Sequence, residues 1–234
     1  MMNEDTMLKK GTGFVERGGL RYTVGPENRV RRSKPWLGDA FSFLYDAVME
    51  KSVFPKKFAA SREEHERILR RALDGVYGKR VLEIAAGSGS AVRYLDSGNG
   101  YTGTDISPGL LRRAAKRFRE AGFEQPLFYV ASANELPFRD ESFDVCLCML
   151  SLNFFPDVNA VLEEVERVLV EGGVFVCAAA VPERKETRSP VRGRLYSEDE
   201  LARMCEARRF RFDAMPDTNG ALLYFRATVL MRSI

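Results

Sequence analysis

The sequence predicts an α/β protein built on a doubly wound, mostly parallel sheet of seven strands, and two observations support this prediction. From residue 79 onward, short apolar runs of strand length alternate with amphipathic segments of helical spacing, as expected when helices cover both faces of a parallel sheet. The last two runs, 210–215 and 222–231, have no long helix between them. They should therefore pair as antiparallel strands, so that the sheet ends in a reversed strand.

The elements follow in a regular order along the chain. Strands are expected where apolar runs are short and bounded by turn residues, and helices where apolar residues recur every three to four positions. The expected strands are 80–85, 101–105, 127–131, 143–152 and 174–181, followed by the two closing strands. The expected helices are 90–96, 108–121, 158–170 and 197–207.

Composition is typical of one globular domain. The chain has 234 residues, of which 45% are hydrophobic and 29% charged, enough to bury a core without disulfide or metal staples. The longest apolar stretch, Val174–Val181, is too short to span a membrane. The N-terminus resembles no secretory signal, and the four cysteines form no C-x-x-C pair. We therefore expect a reduced, cytoplasmic protein without a membrane span.

Two segments precede the α/β region, which we assign to residues 79–234. Residues 1–35 form a basic, partly flexible leader, read either as a solvated segment or as an arm that contacts phosphate. Residues 36–78 form a helical lid segment rich in aromatic residues, or a helical pair packed on the sheet edge. Within it, Ser61 and Glu64 form a capping-box pattern at the start of a helix that runs to about Asp74. The overall charge of +3 is too small to indicate nucleic-acid binding.

A glycine-containing loop follows the first strand of the α/β region. The strand leads into Ala85-Ala-Gly-Ser-Gly89, where glycines let the backbone approach a ligand closely. The third glycine of the dinucleotide fingerprint is absent, because Val92 stands there. The pattern therefore disfavours a nicotinamide-dependent dehydrogenase.

Asp105 ends the next strand, at the distance from the glycine loop where a carboxylate can hold ribose hydroxyls. The alternative role for Asp105 is an acid at the N-terminus of the following helix. Two further blocks come later in the chain, Ser132–Asp144 and Val168–Gly173.

With these four blocks in order, the chain resembles class I S-adenosylmethionine-dependent methyltransferases, and most of all the type 11 group that includes quinone-biosynthesis enzymes. The resemblance covers about residues 79–180. It implies S-adenosyl-L-methionine as cofactor. By position in the motifs, it implies that cofactor-binding residues are Glu83, Ala85, Gly87 and Gly89 at the methionine half, Asp105 at the ribose, Ile106, Ser132, Ala133 and Asn134 around the adenine, and Met149 and Leu150 near the sulfonium.

Four positions depart from the family pattern, and one of them, Glu171 in place of a frequent Pro before Gly172-Gly173, is expected to matter only for structure. Ser132 stands where relatives often have Asp, which predicts a somewhat weaker adenine contact. Ala85 replaces a frequent Gly, a change that is tolerable if its φ is negative. Asn153 stands where many relatives have His, so a histidine function cannot be assumed at that site.

Few side chains are candidates for catalysis. His65, the only histidine, shares an apolar helical face, which suits either catalysis or core packing. Tyr45 resembles the tyrosine of a lid helix that covers the cofactor in relatives. The alternative is that Tyr45 only packs against neighbouring residues. Asn153 orients a substrate oxygen or caps the helix that follows Pro156. No metal site is expected, because Cys146 and Cys148 lie on one face of a buried strand and fill the core.

The sequence thus predicts methyl transfer to a small, partly apolar organic acceptor, catalysed mainly by proximity and desolvation. The basic segment 182–196 either attracts an anionic acceptor electrostatically or is a solvated loop without a role in binding. A non-catalytic S-adenosylmethionine-binding regulator or partner subunit is the main alternative, and a protein or nucleic-acid methyltransferase is another. The acceptor, the methylated atom and the oligomeric state are not specified by these patterns.

Overall fold

Within the residues that the structure describes, nine strands form one sheet in the order β1-β2-β5-β4-β3-β6-β7-β9-β8. The computed structural model describes residues 7–24, 45–184 and 191–231. The strands are β1 Gly13–Arg17, β2 Leu20–Val24, β3 Arg80–Ile84, β4 Gly100–Asp105, β5 Leu127–Val130, β6 Phe143–Met149, β7 Leu169–Ala180, β8 Phe210–Ala214 and β9 Leu222–Val229. The α-helices are α1 Tyr45–Val48, α2 Arg62–Ala72, α3 Pro108–Glu120, α4 Val158–Val168 and α5 Glu198–Glu206.

Strand β3 lies at the centre, where the winding of the sheet reverses. It pairs in parallel with β4 on one side and with β6 on the other, and β5 and β7 continue the parallel pairing outward. The central strands are buried on both faces, and β6 is apolar almost throughout for that reason. Loops at the carboxyl ends of β3 and β6 diverge at this switch point, which is where open α/β sheets bind ligands.

The reversed final strand is confirmed. Strand β9 inserts between β7 and β8 and is antiparallel to both, with Cys177 opposite Phe225 in one pair and Phe212 opposite Ala227 in the other. The α/β fold class is therefore confirmed, although the strand count is nine rather than seven.

The two additional strands are a hairpin inside the segment expected to be a basic leader. Gly18 and Gly19 have φ values of 60° and 74°, the conformation that a two-residue hairpin turn requires. Strand β2 pairs in parallel with β5, with Tyr22 opposite Val130, and Leu20 is fully buried. The sequence prediction missed this hairpin because the charged residues around it hid a short alternation of apolar and polar positions.

Capping residues start the helices where the sequence predicted. The Ser61 hydroxyl accepts from the backbone N–H of Glu64 at the start of α2. At α5, Ser197 and Glu200 form a complete capping box. Two expected helices differ: the helix over 90–96 is only a short 3₁₀ turn, Ser90–Arg93, and the helix over 158–170 ends at Val168 because β7 begins at Leu169.

The described part of the lid segment packs on the sheet. Helix α1 continues into a π-helical stretch, Met49–Lys57, whose Phe54 is buried, and α2 buries His65, Ile68, Leu69 and Ala72. The Ala221 N–H donates to the Phe58 carbonyl at 2.7 Å, tying the segment to the turn before β9. Trp36, Phe41 and Phe43 lie outside the described residues, as does the side chain of Tyr45, so the lid function of 36–78 stays a prediction.

In the described ranges, no helix combines the length and the apolar character that crossing a membrane demands.

Candidate functional site

A cleft opens at the carboxyl ends of β3 and β6. Its floor comes from the end of β3, the glycine loop and the residues after β6, and its other wall comes from the π-helical stretch and α2. The lining residues are Met49, Phe54, Arg62, His65, Glu66, Glu83, Ala85, Ala86, Gly87, Ser88, Ser90, Tyr94, Met149, Leu150 and Ser151. Five of the predicted cofactor residues therefore meet in one cleft, namely Glu83, Ala85, Gly87, Met149 and Leu150.

The glycine loop is held in a left-handed conformation. Gly87 has φ 55° and Gly89 has φ 80°, which glycine adopts without steric cost. Ala85 has φ 51°, so the condition under which Ala would be tolerated here without strain, a negative φ, is not met. An L-residue with a side chain pays about 1–2 kcal/mol for this conformation. The loop therefore stores strain beside the cleft, as functional sites often do.

Gly89 is a glycine for a packing reason as well. A Cβ at this position would lie 2.8 Å from the Ala114 Cα on α3, closer than non-bonded carbons approach. Gly89 is not among the cleft-lining residues. Its contribution in this structure is to let α3 pack tightly against the loop.

Asp105 is tied directly to the glycine loop. Its Oδ2 accepts from the Gly87 N–H at 2.9 Å, and its Oδ1 accepts from the Ser107 N–H at 2.8 Å. These bonds set the orientation of the carboxylate at the rim of the cleft. The next residue, Ile106, is 44% exposed, an apolar side chain beside an oriented acid. This pairing has the chemistry that a ribose with an attached base requires.

The Ser132–Asn134 stretch lies beside Asp105. Strand β5 pairs with β4, and the Ala131 N–H donates to the Asp105 carbonyl at 3.2 Å. Ser132 is exposed and donates to Asn134 Oδ1 at 3.3 Å, whereas Ala133 is buried. The expected adenine-edge residues thus share one side of the sheet edge with the expected ribose acid.

Glu83 is a buried acid in the cleft wall. Its side chain accepts a hydrogen bond from the Tyr101 hydroxyl, and the Tyr101 ring stacks on Phe118 with centroids 3.7 Å apart. Burial raises the pKa of Glu83 to about 8, the Tyr101 hydrogen bond opposes this rise, and the charge of Asp105 adds to it. Glu83 is therefore mostly protonated at pH 7 and would ionise readily beside a cation.

The residues after β6 form a second strained turn. Leu150 has φ 59° and its N–H donates to the Ala178 carbonyl at 2.8 Å. This bond holds Leu150 and its neighbour Met149 against the cleft. Both side chains are apolar, which suits a site that excludes water.

The three catalytic candidates have different positions. His65 lines the cleft, and burial lowers its pKa to about 3, with Arg62 adding to the effect. Asn153 is buried, and its Nδ2 donates to the Arg192 carbonyl at 2.5 Å. The helix-capping role considered for Asn153 is wrong, because Asp157 caps α4 by accepting from the Ala160 N–H. For Tyr45 only the backbone is described.

The cysteines fill the core, as predicted. All four are unpaired and buried. Burial raises the pKa of Cys146 far above that of an ordinary thiol, so this side chain is inert. Among the residues described, no three histidine, cysteine or acidic side chains lie close enough together to hold a metal ion.

Sequence reasoning missed several residues of the site. Tyr94 lines the cleft and is buried. Arg62 lies in the wall opposite the loop and binds Glu50 and Glu66 at 3.0 and 3.1 Å. No motif marks Arg62, because it becomes a neighbour of the loop only when α2 packs on the sheet.

Comparison with known proteins agrees with this geometry. Residues 82–177 match the family described as a methyltransferase domain. Over 108 residues the chain is 39% identical to the probable phthiotriol/phenolphthiotriol dimycocerosates methyltransferase 2 of Mycobacterium ulcerans, covering 45% of this chain and 41% of that protein. Over 105 residues it is 39% identical to the ubiquinone/menaquinone biosynthesis C-methyltransferase of Rickettsia felis, covering 42% of each. The chain thus spans about two fifths of the length of these curated relatives.

Solved structures support the same fold. A chain from the solved complex between the Haloferax volcanii Trm112 methyltransferase activator and the methyltransferase assigned to it superposes with a TM-score of 0.67 at 20% identity, covering 85% of this chain and all of that chain. The match extends beyond residues 82–177 and so includes elements on both sides of that range. Residues 82–177 are therefore similar to the methyltransferase-domain family, and the fold around them is that of a solved relative.

Proposed function

We propose that the protein transfers the methyl group of S-adenosyl-L-methionine to a small, partly apolar organic acceptor. The observation that carries this proposal is the junction of Asp105 with the glycine loop. The bond from the Gly87 N–H to Asp105 Oδ2 joins the expected ribose acid to the loop expected to hold the amino-acid tail. The Asp105 carboxylate and the glycine loop are therefore oriented together at one edge of the sheet.

The donor and acceptor chemistry of the cleft fits this cofactor. Asp105 would bind the ribose, with Ile106 packing on the adenine and Ser132, Ala133 and Asn134 along its edge. Glu83, Ala85 and Gly87 would border the amino-acid tail. Met149 and Leu150 would lie near the sulfonium, because they end β6 beside the loop. Gly89 would act indirectly, by allowing α3 to pack against the loop.

The mechanism follows from what these side chains can do. The cofactor supplies a methyl group on a positively charged sulfur, which leaves as a neutral thioether. The chain then needs to align the acceptor and exclude water, effects that together can lower a barrier by about 7–11 kcal/mol. Met49, Phe54, Met149 and Leu150 give the cleft apolar walls for this task.

General-base catalysis by His65 is not part of the proposal. Burial lowers the pKa of His65 to about 3, so the ring is a weak base at neutral pH. We therefore expect an acceptor that is already nucleophilic, or that loses its proton to solvent. Relatives named for quinone biosynthesis and for phthiotriol dimycocerosates make apolar acceptors with hydroxyl groups the first class to screen.

The four buried, unpaired thiols support a reducing compartment, and we propose the cytoplasm as the site of action.

Binding calorimetry with S-adenosylhomocysteine tests the cofactor assignment. Asp105→Ala should weaken binding at least tenfold, equivalent to about 1.4 kcal/mol. Asp74→Ala is the matched control, because Asp74 is an exposed acid outside the cleft. Equal affinity in the Asp105 variant and the wild type would contradict the assignment.

Incubation with methyl-labelled S-adenosylmethionine and a panel of phenols, quinols and long-chain alcohols and acids tests the acceptor class. We expect a labelled product from at least one of these apolar compounds. A chain that binds the cofactor but labels only protein or nucleic acid, or labels nothing in a complete metabolite extract, would contradict the proposed small acceptor and favour the alternatives.

A further inference from the structure

A chain of hydrogen bonds leads from the backbone at the start of α2 to the cleft. The Ser61 N–H donates to Asn219 Oδ1 at 2.8 Å, and Asn219 Nδ2 donates to the Ser61 carbonyl at 2.8 Å. A backbone N–H can only donate, so these bonds fix which end of the Asn219 amide is oxygen. Asn219 Nδ2 also donates to the Tyr224 hydroxyl oxygen at 3.0 Å.

The Tyr224 hydroxyl then sets the tautomer of His65. This hydroxyl lies 3.0 Å from His65 Nδ1, and Tyr224 is fully buried. Its oxygen already accepts from Asn219, so its single proton is best satisfied by donation to Nδ1. Burial also raises the pKa of Tyr224, which keeps that proton in place. A neutral His65 with Nδ1 as acceptor carries its own proton on Nε2.

The second ring nitrogen of His65 is available to the cleft. His65 lines the cleft, and Nε2 has no hydrogen-bond partner among the residues described. The ring is held in place by Phe54 and Tyr94, with centroids 5.2 and 6.4 Å away. The structure therefore presents one oriented N–H on the wall that lies across from the glycine loop.

Several other donors line this part of the cleft, and some of them already have partners within the chain. Arg62 is paired with Glu50 and Glu66. Ser151 donates to the Met149 carbonyl at 3.1 Å, whereas the buried Tyr94 hydroxyl has no hydrogen-bond partner in the described part of the chain and is a second donor in the cleft wall. Glu83 supplies an acceptor for a cation but no strong donor once ionised. For a ligand with both an ammonium and a carboxylate, Glu83 offers the acceptor for the ammonium, and His65 Nε2–H offers the carboxylate an oriented donor on the wall across from the glycine loop.

We propose that His65 Nε2–H donates a hydrogen bond to the carboxylate of the cofactor's amino-acid tail, and that Asn219 and Tyr224 hold His65 in the donating tautomer. This inference rests on the proposed function, because the tail belongs to S-adenosylmethionine. It makes His65 a cofactor-binding residue and not a base.

The single histidine makes the tautomer directly observable. Long-range ¹H–¹⁵N NMR spectra of the uniformly ¹⁵N-labelled full chain contain one imidazole, since the sequence has one histidine. At pH 7 we expect an unprotonated Nδ1 and a protonated Nε2. Saturation with S-adenosylhomocysteine should shift the Nε2–H resonance, whereas 5′-methylthioadenosine, which lacks the amino-acid tail, should leave it in place. A proton on Nδ1, or equal shifts with both ligands, would overturn the proposal.

Calorimetry with the same two ligands gives an independent measure. His65→Phe keeps an apolar ring and removes the N–H, so S-adenosylhomocysteine affinity should fall about tenfold while 5′-methylthioadenosine affinity stays within about twofold, in line with the loss of one charge-assisted hydrogen bond. Retention of the 5′-methylthioadenosine affinity also reports that the variant is folded. Equal affinity of wild type and His65→Phe for S-adenosylhomocysteine would overturn the proposal.

Failure of the proposed function looks different. A wild-type chain that binds neither ligand would contradict S-adenosylmethionine chemistry itself, and the role of His65 would fall with it. A wild-type chain that binds both ligands, with no selective loss in His65→Phe, would leave the proposed function standing and overturn only the inference about His65.

Discussion

Replacement of Glu83 by Gln should remove most of the alkaline pH dependence of stability. The folded chain raises the pKa of Glu83 from 4.5 to about 8 because the carboxyl is buried. Between these values the folded state holds one proton that the unfolded state has released. Stability therefore falls as pH rises through this window, by at most about 1.4 kcal/mol per pH unit.

His65 has the opposite effect over a lower range of pH. Burial lowers its pKa from 6.5 to about 3, so between those values the unfolded state binds the extra proton and stability rises with pH. The contributions of Glu83 and His65 oppose each other between pH 4.5 and 6.5. From pH 6.5 to 8 the Glu83 contribution predominates. It amounts to about 1.6 kcal/mol, because folded Glu83 is only half ionised at pH 8, and the last part of the His65 titration offsets about 0.4 kcal/mol of it.

Urea denaturation of the ligand-free protein at pH 6.5 and pH 8 measures this difference. The wild type should lose about 1.2 kcal/mol between the two values, whereas Glu83→Gln, which keeps an oxygen to accept from Tyr101, should lose none. Glu120→Gln, at an exposed acid on α3, should behave as the wild type does. An equal loss in wild type and Glu83→Gln would refute the assignment of a buried, protonated Glu83.

Three further substitutions probe the loop and the adenine edge. Ala85→Gly should raise the free energy of unfolding by about 1 kcal/mol, because φ is 51° at this position; an unchanged or lower urea midpoint would contradict the strain. Gly89→Ala should lower the free energy of unfolding by about 1–3 kcal/mol, because the new methyl group would clash with Ala114. A urea midpoint equal to that of the wild type would show that α3 can shift without loss of stability. Ser132→Asp should tighten S-adenosylhomocysteine binding several-fold in calorimetry, because a charged acceptor replaces a hydroxyl; no gain would argue against an adenine contact there.

Local patterns were enough to predict the central sheet. Strands β3 to β7 are apolar runs bounded by turn residues, and the capping residues Ser61 and Ser197 mark the starts of α2 and α5. The reversal of β9 followed from chain length alone, because no helix fits between β8 and β9. These features depend on residues that are close together in the sequence, so they can be predicted without a structure.

Contacts between distant segments were not predictable. The hairpin of β1 and β2 depends on the edge of β5 to pair with. The φ of Ala85 depends on how the loop must turn between β3 and α3. The relay from Asn219 through Tyr224 to His65 joins residues about 150 positions apart in the chain, since Ser61 and Asn219 are separated by 158 residues. Nothing in the local sequence around any of them indicates the pairing.

Calorimetry on the intact wild-type chain tests the central claim most directly. S-adenosylhomocysteine and a reduced nicotinamide dinucleotide are titrated separately under the same conditions. The geometry of the glycine loop and Asp105 predicts saturable binding of S-adenosylhomocysteine and no binding of the dinucleotide. Binding of the dinucleotide with no response to S-adenosylhomocysteine would contradict the account.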